Sequence, residues 1–230
     1  MARLADELSL ARGLTAFVGG GGKTTLMLHL ARELSECGTV IVTTSTHIFP
    51  PDGIRTLYAP IGEAELQTAL VRERLVCIGT PCENGKLSDA GIPYRRLKAL
   101  ADFVLVEADG AKGHPLKANR AHEPVIPAEA DRVIAVAGMS CAGETIETAC
   151  FNAALYAGIV GKSVTERVAP EDVSRVLTDV DGQRKGVPQG AAFSVVLTMV
   201  NTEQRRVFAS GVQRELSLRG MKNVFLFNVK

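Results

Sequence analysis

The sequence predicts an α/β fold, with a mostly parallel central sheet between two layers of helices. Short apolar or β-branched runs alternate with amphipathic segments along the 230 residues, which is typical of parallel strands joined by helices. A run of four glycines separates the first strand from the first long helix. We expect one domain over residues 1–230, with a hairpin or loop insertion at 80–93 and a helical segment at 139–190 that is partly independent of the rest.

The predicted elements follow from the periodicity of the apolar residues. Strands are expected at residues 14–18, 39–43, 55–59, 75–79, 103–106, 132–137, 193–200 and 224–229. A helix should follow the glycines, and others are expected at 63–74, 94–101, 146–157, 170–178 and 202–218. Because parallel strands present their carboxyl ends at one edge of the sheet, residues 19–25, 44–47 and 107–112 should meet there.

The glycine-rich turn has the composition of a phosphate-binding loop. Its residues are Gly19, Gly20, Gly21, Gly22, Lys23, Thr24 and Thr25. Glycines allow backbone N–H groups to curl around phosphate oxygens, and the following helix start favours negative charge. We expect Lys23 to reach the β- and γ-phosphates and the Thr24 hydroxyl to coordinate Mg²⁺. These features favour a P-loop NTPase-like domain; a glycine turn that binds nothing is the alternative.

The loop is two residues shorter than the usual G-x-x-x-x-G-K-[ST] pattern, since Phe17 lies six residues before Lys23. A shortened loop of this form resembles that of the Mur-type ATP-dependent ligases. A second match, residues 158–163, follows an apparent helix instead of a strand, and we therefore do not expect it to bind phosphate.

Two carboxylates follow a buried strand and complete the predicted site. Glu107 ends the apolar run 103–106, and Asp109 lies two residues further on. We expect Glu107 to hold the metal beside Thr24, and Asp109 to project outward to a substrate, near Lys112 and His114. Asp109 as a cap of the following turn is the alternative.

A cationic stretch follows the two acids. Lys112, His114, Lys117, Arg120 and His122 lie within eleven residues of the chain. This composition suits an anionic substrate or the phosphates of the nucleotide, although a solvated loop has the same composition.

Polar residues after the second strand should reach the same edge. Thr44 and His47 are expected to contribute to the nucleotide site. His47, His114 and His122, with Asp109, are also compatible with a transition-metal site, although their spacing is specific to no metal.

Composition excludes several classes of function. The formal net charge is +1, which gives no support for a nucleic-acid surface or a polybasic membrane patch. No apolar run approaches the roughly 20 residues of a membrane span. The five cysteines contain no C-x-x-C pair and are read as reduced thiols, so we expect a cytoplasmic protein.

Four segments together resemble the YqeC family. They are V-G-G-G-G-K-T-T, V-T-T-S-T-H, V-L-V-E-A-D-G-A-K-G-H-P-L-K-A and H-E-P-V-I-P. The resemblance runs from about Gly13 to Val200. It implies a P-loop protein that acts as an accessory protein of selenium-dependent molybdenum hydroxylases and is linked to a labile selenium-containing cofactor.

The chain departs from the family after the penultimate long strand. An Asn-Lys-x-Asp-like segment is common there, whereas this chain has Thr198-Met199-Val200-Asn201. An amide is a weaker acceptor than a carboxylate for the donors of guanine, so either ATP or GTP is expected as the nucleotide, with Mg²⁺.

Three functions remain open at this point. The first is a slow Mg²⁺-dependent NTPase that assists maturation of a molybdenum hydroxylase client. The second is an ATP-dependent ligase or kinase that transfers the γ-phosphoryl group to an anionic small molecule. The third is a nucleotide-gated binding protein with negligible turnover.

Overall fold

The chain folds around a nine-stranded sheet in which eight strands are parallel. The computed structural model describes residues 3–228. The strands are β1 (Gly13–Gly19), β2 (Val40–Thr44), β3 (Arg55–Tyr58), β4 (Leu75–Pro81), β5 (Leu87–Ser88), β6 (Phe103–Glu107), β7 (Leu116–Lys117), β8 (Arg132–Gly138), β9 (Cys150–Phe151), β10 (Ala192–Thr198) and β11 (Val224–Phe227). Their order in the main sheet is β11-β10-β8-β1-β6-β2-β4-β3, and β5 pairs antiparallel with β4. The predicted α/β fold with a mostly parallel sheet is confirmed.

Helices cover both faces of this sheet. They are α1 (Leu4–Glu7), α2 (Lys23–Ser35), α3 (Glu63–Glu73), α4 (Tyr94–Leu100), α5 (Ile146–Ala149), α6 (Ala153–Val160), α7 (Pro170–Thr178) and α8 (Glu203–Leu218). The apolar residues of α1 and α2 belong to one buried cluster, and those of α3 to α8 belong to the cluster on the opposite face. The result is three layers, α/β/α.

Strand β1 lies at the centre of the sheet because it is apolar on both of its faces. Leu14, Ala16 and Val18 point into one buried cluster, and Phe17 points into the other. β6 and β8 flank β1 in parallel, with Phe17 beside Glu107 and Gly19 beside Val136. This register brings the end of β6 next to the glycine-rich turn.

The predicted hairpin at 80–93 is present as the β4–β5 pair, in which Thr80 pairs with Ser88. The single helix predicted at 146–157 is wrong. It divides into α5 and α6, because Cys150 and Phe151 form β9 and pair with β7 while Asn152 adopts a left-handed φ of +63°. The last predicted strand is β11, and Val229 lies outside the described residues.

Two features were not predicted, and they lie outside the main sheet. α1 packs on α2 at the amino end, and the parallel pair β7–β9 forms a separate two-stranded sheet. The glycine-lysine sequence at 158–163 ends α6, with Gly161 at the carboxyl cap, so it lies in a helix-to-loop context as expected. No helix within residues 3–228 combines the length and the apolar character needed to cross a bilayer.

Candidate functional site

The turn between β1 and α2 requires its glycines. Gly19, Gly21 and Gly22 have φ values of +98°, +73° and +93°, which side chains rarely adopt. A Cβ on Gly19 would lie 2.3 Å from the carbonyl oxygen of Val136, and one on Gly21 would lie 2.3 Å from the nitrogen of Gly138. The turn is therefore packed tightly against the end of β8.

Three backbone N–H groups of this turn are already used inside the protein. Gly19 N–H donates to Asp109 Oδ2 at 2.9 Å, Gly20 N–H to the Val136 carbonyl at 3.0 Å and Gly21 N–H to the His114 carbonyl at 3.0 Å. We expected glycine N–H groups to curl around phosphate oxygens, but these three donate to acceptors within the protein. The N–H groups of Lys23, Thr24 and Thr25, in the first turn of α2, have no acceptor within the helix. They are the alternative donors for an anion at this turn.

Lys23 begins α2, and its side chain turns back under the glycines. Its Nζ lies 3.0 Å from Asp109 Oδ1 and donates to the Gly19 carbonyl at 2.5 Å. Burial disfavours the Lys23 ammonium, but Asp109 and then Glu107 outweigh it, so the pKa of Lys23 is raised. Lys23 therefore stays charged while buried.

Asp109 does not face a substrate. It is fully buried, between Lys23 and Lys117, whose Nζ lies 3.3 Å from Asp109 Oδ2. Lys117 Nζ also lies 3.2 Å from Glu123 Oε2. The predicted outward direction is wrong because two ammonium groups and the Gly19 N–H all draw this carboxylate inward under the loop.

Glu107 and Thr24 meet at the helix start, as the sequence predicted. The Thr24 hydroxyl donates to Glu107 Oε2 at 2.5 Å. Burial raises the pKa of Glu107, against the opposing effects of Lys23 and of the Thr24 hydrogen bond. A hydroxyl and a carboxylate are hard oxygen donors, which Mg²⁺ prefers beside phosphate oxygens. Of the three predicted metal ligands, Thr24 and Glu107 contact each other, whereas buried Asp109 contacts Lys23 and Lys117.

Thr44 and His47 differ in exposure: the first is buried and the second is exposed. Thr44 is buried, and its hydroxyl donates to the Glu107 carbonyl at 2.8 Å, so it supports the end of β6 and is not available to a nucleotide. His47 is exposed at the rim of the cleft. Among residues 3–228, no group of three or more His, Cys, Asp or Glu side chains is placed to hold a metal, so the three histidines do not assemble the alternative transition-metal site.

Lys112 and His114 lie close to Phe151, and all three line the cleft. Lys112 is exposed, with a left-handed φ of +46° and its Nζ 5.4 Å from the centre of the Phe151 ring. The His114 ring is 6.0 Å from that of Phe151, and its Nδ1 lies 3.3 Å from the Thr148 carbonyl.

A cleft of about 1320 Å³ opens at the carboxyl edge of the sheet. Its floor contains Lys23, Thr24 and Glu107, and it extends over the β4–β5 hairpin in one direction and to Phe151 in another. The volume exceeds the upper end of the usual range for ligand pockets, about 1,000 Å³. There is room beside the loop for a second molecule as well as for phosphates.

The end of β10 closes the opposite side of the loop. The Thr198 hydroxyl donates to the Gly21 carbonyl, and Met199 has a left-handed φ of +58°. Asn201 is exposed, and its Oδ1 accepts from Arg205 at 2.9 Å. The Asn201 amide is thus bonded to Arg205 of α8, the helix that follows it.

Some residues of this site were not identified by the sequence reasoning. Phe151 lies in no motif, and Lys117 was noted only as part of a cationic stretch. Glu123 and Thr198 lie in segments that were compared with the family, but neither was assigned a place in the site. The signals that were present are the apolar residues Leu116 and Ala118 on either side of Lys117, and the apolar pair Cys150–Phe151. These two segments form the separate β7–β9 sheet.

The fold and the site define a three-layer α/β protein with a glycine-rich strand-to-helix turn above a buried lysine–aspartate pair. The YqeC family, described as "YqeC protein", matches residues 15–154. A relative from Escherichia coli (strain K12), "Uncharacterized protein YqeC", is 33% identical over 186 residues, which cover 75% of this chain and 70% of the relative. The chain belongs to the YqeC family.

Proposed function

We propose that this protein binds a nucleoside triphosphate with Mg²⁺ at the start of α2 and hydrolyses it slowly. The observation that supports this most is the position of Lys23, Thr24 and Glu107 together on the floor of the cleft, with the Thr24 hydroxyl 2.5 Å from the carboxylate. The N–H groups of the first turn and the Lys23 ammonium supply donors for phosphate oxygens. Thr24 and Glu107 would hold the metal, which neutralises the phosphate charge.

The wider role that we propose rests on the resemblance of the sequence to its family. In this role the protein is an accessory factor in the maturation of a selenium-dependent molybdenum hydroxylase or of its labile selenium cofactor. Nucleotide binding or hydrolysis would then drive a step on that client.

A second candidate is an ATP-dependent ligase or kinase that acts on a small molecule. The cleft favours it, because its 1320 Å³ leave space beyond the phosphates for an acceptor. Hydrolysis measured with and without candidate acceptors separates this candidate from a plain NTPase: an acceptor that becomes phosphorylated indicates transfer.

Substitution of Lys23 tests nucleotide binding. Lys23→Met should weaken ATP binding about ten- to a hundredfold, because one charge-assisted hydrogen bond contributes about 1.5–3 kcal/mol. Labelled ATP and GTP are titrated into both proteins with Mg²⁺. Lys222→Met, which removes an exposed charge near the carboxyl end, is the matched control and should bind as wild type does. A folded Lys23→Met protein with unchanged affinity would rule the proposal out.

A further inference from the structure

Two cations on the wall of the cleft have no carboxylate partner. Lys23 and Lys117 are matched by Asp109 and Glu123. Lys112 and Arg120 line the same cleft but form no ion pair within the described residues 3–228. The wall therefore carries positive charge that the protein itself does not neutralise.

An aromatic ring gathers these charges at one place. Lys112 Nζ lies 5.4 Å from the centre of the Phe151 ring, and Arg120 Cζ lies 5.7 Å from it. His114 lies 6.0 Å from the same ring. Attraction between cations and the ring offsets part of their mutual repulsion. We call Phe151, Lys112, His114 and Arg120 the Phe151 cluster.

The backbone around the cluster is held by specific contacts. β9 carries Phe151 and pairs with β7, where Lys117 is the partner of Phe151. Lys185 Nζ donates to the carbonyl oxygens of Arg120 and Ala121, at 2.6 Å and 2.9 Å. The Arg120 Nε donates to Asn152 Oδ1 at 3.3 Å. These contacts hold the backbone at Arg120 and the Nε end of its side chain in place.

The cluster is also joined to the phosphate-binding turn. The His114 carbonyl accepts from Gly21 N–H at 3.0 Å, and the Pro115 carbonyl accepts from Gly138 N–H at 2.9 Å. Below the surface, Lys117 lies 5.9 Å from the Phe151 ring and shares Asp109 with Lys23. An anion held by the cluster would therefore lie in the same cleft as the nucleotide phosphates.

We propose that the Phe151 cluster binds the oxyanion group, a phosphate ester or a carboxylate, of a small-molecule acceptor. Lys112 and Arg120 supply the charge, and the His114 ring and the guanidinium N–H groups supply further hydrogen bonds. This site deepens the proposed function. The bound molecule can act as an acceptor only if the nucleotide binds at the loop, so that role rests on the proposed function. The binding of the anion to the cluster does not depend on the nucleotide.

Anion titrations test the site directly. Inorganic phosphate, glycerol 3-phosphate and succinate are titrated separately at constant ionic strength, and the shift in unfolding temperature is followed. Each titration uses the protein both free and loaded with AMP-PNP and Mg²⁺. We expect at least one anion to stabilise the protein saturably. Comparison of inorganic phosphate and glycerol 3-phosphate with succinate shows whether the site prefers a phosphate or a carboxylate. Lys112→Gln/Arg120→Gln should weaken that binding at least about tenfold.

The matched control is Arg95→Gln/Lys222→Gln, which removes the same charge from exposed positions outside the cluster and should bind the anion as wild type does. The absence of saturable binding, or equal binding by the cluster variant, would overturn the site. So would a tenfold loss of AMP-PNP affinity in the cluster variant, since its cations would then bind the nucleotide. If AMP-PNP fails to bind wild type while the anion binds, the proposed function fails and the site stands.

Discussion

Asp109 should be essential to stability and not to nucleotide binding. Its carboxylate is fully buried and lies 3.0 Å from Lys23 Nζ and 3.3 Å from Lys117 Nζ. Asp109→Asn keeps the shape and the acceptor for Gly19 N–H but leaves two buried ammonium groups short of one negative charge. Breaking a buried ion pair from one side costs about 3–5 kcal/mol, and we expect a loss of this size in the free energy of unfolding.

Urea unfolding measures this loss, with the slope m checked to be unchanged. Glu63→Gln is the control, because Glu63 pairs with Arg96 at 2.7 Å while both side chains are about half exposed. An exposed pair of this kind is worth about 0–1 kcal/mol. A loss for Asp109→Asn as small as that of Glu63→Gln would refute the buried network.

Nucleotide affinity distinguishes the buried position of Asp109 in the structure from the outward position that the sequence predicted. In the structure, Lys23 must exchange Asp109 for phosphate, so Asp109→Asn should bind ATP with Mg²⁺ at least as tightly as wild type does. If instead the variant is as stable as wild type and loses affinity, Asp109 contacts the nucleotide or its metal, as its sequence position indicated.

The remaining predictions concern the metal and the base. Glu107→Gln should raise the Mg²⁺ concentration needed for half-maximal hydrolysis, whereas Asp109→Asn should not; the reverse pattern in a magnesium titration would exchange their roles. Only the carboxylate form of Glu107 binds Mg²⁺ well, and its pKa is raised by burial. Apparent Mg²⁺ affinity should therefore strengthen as the pH rises through that pKa, and Glu107→Gln should lose this dependence, which titrations at several pH values would show. Base preference should be weak or favour ATP, because Asn201 is a neutral acceptor already bonded to Arg205; a GTP preference of about a thousandfold or more in competition binding would mean that another segment reads the base.

The parallel sheet, and the edge that carries the candidate site, were predictable because they depend on local patterns. The run 14–18 is apolar at every residue except the β-branched Thr15, a pattern typical of a strand buried on both faces, and Glu107 ends another apolar run. Sheet order then places the acid beside the loop. These are consequences of hydrophobic periodicity and of the geometry of parallel strands.

The direction of Asp109 was not predictable from its position along the chain. Alternation along a strand places Glu107 and Asp109 on the same side, but the strand ends at Glu107. Beyond that residue, the competition among Lys23, Lys117 and Gly19 N–H decides where the carboxylate points. Lys117, which contacts Asp109, lies in β7, and β7 pairs with β9, whose residues lie over thirty positions later in the sequence. Such a contact between distant segments leaves no local pattern.

A structure of the protein with AMP-PNP and Mg²⁺ tests the central claim most directly. The account predicts the triphosphate at the start of α2, within hydrogen-bonding distance of the N–H groups of Lys23, Thr24 and Thr25. It also predicts that Lys23 Nζ leaves Asp109 for the phosphates and that the Thr24 hydroxyl exchanges Glu107 for the metal. A nucleotide bound elsewhere, or a Lys23 Nζ that remains 3.0 Å from Asp109 with the triphosphate in the cleft, would contradict it.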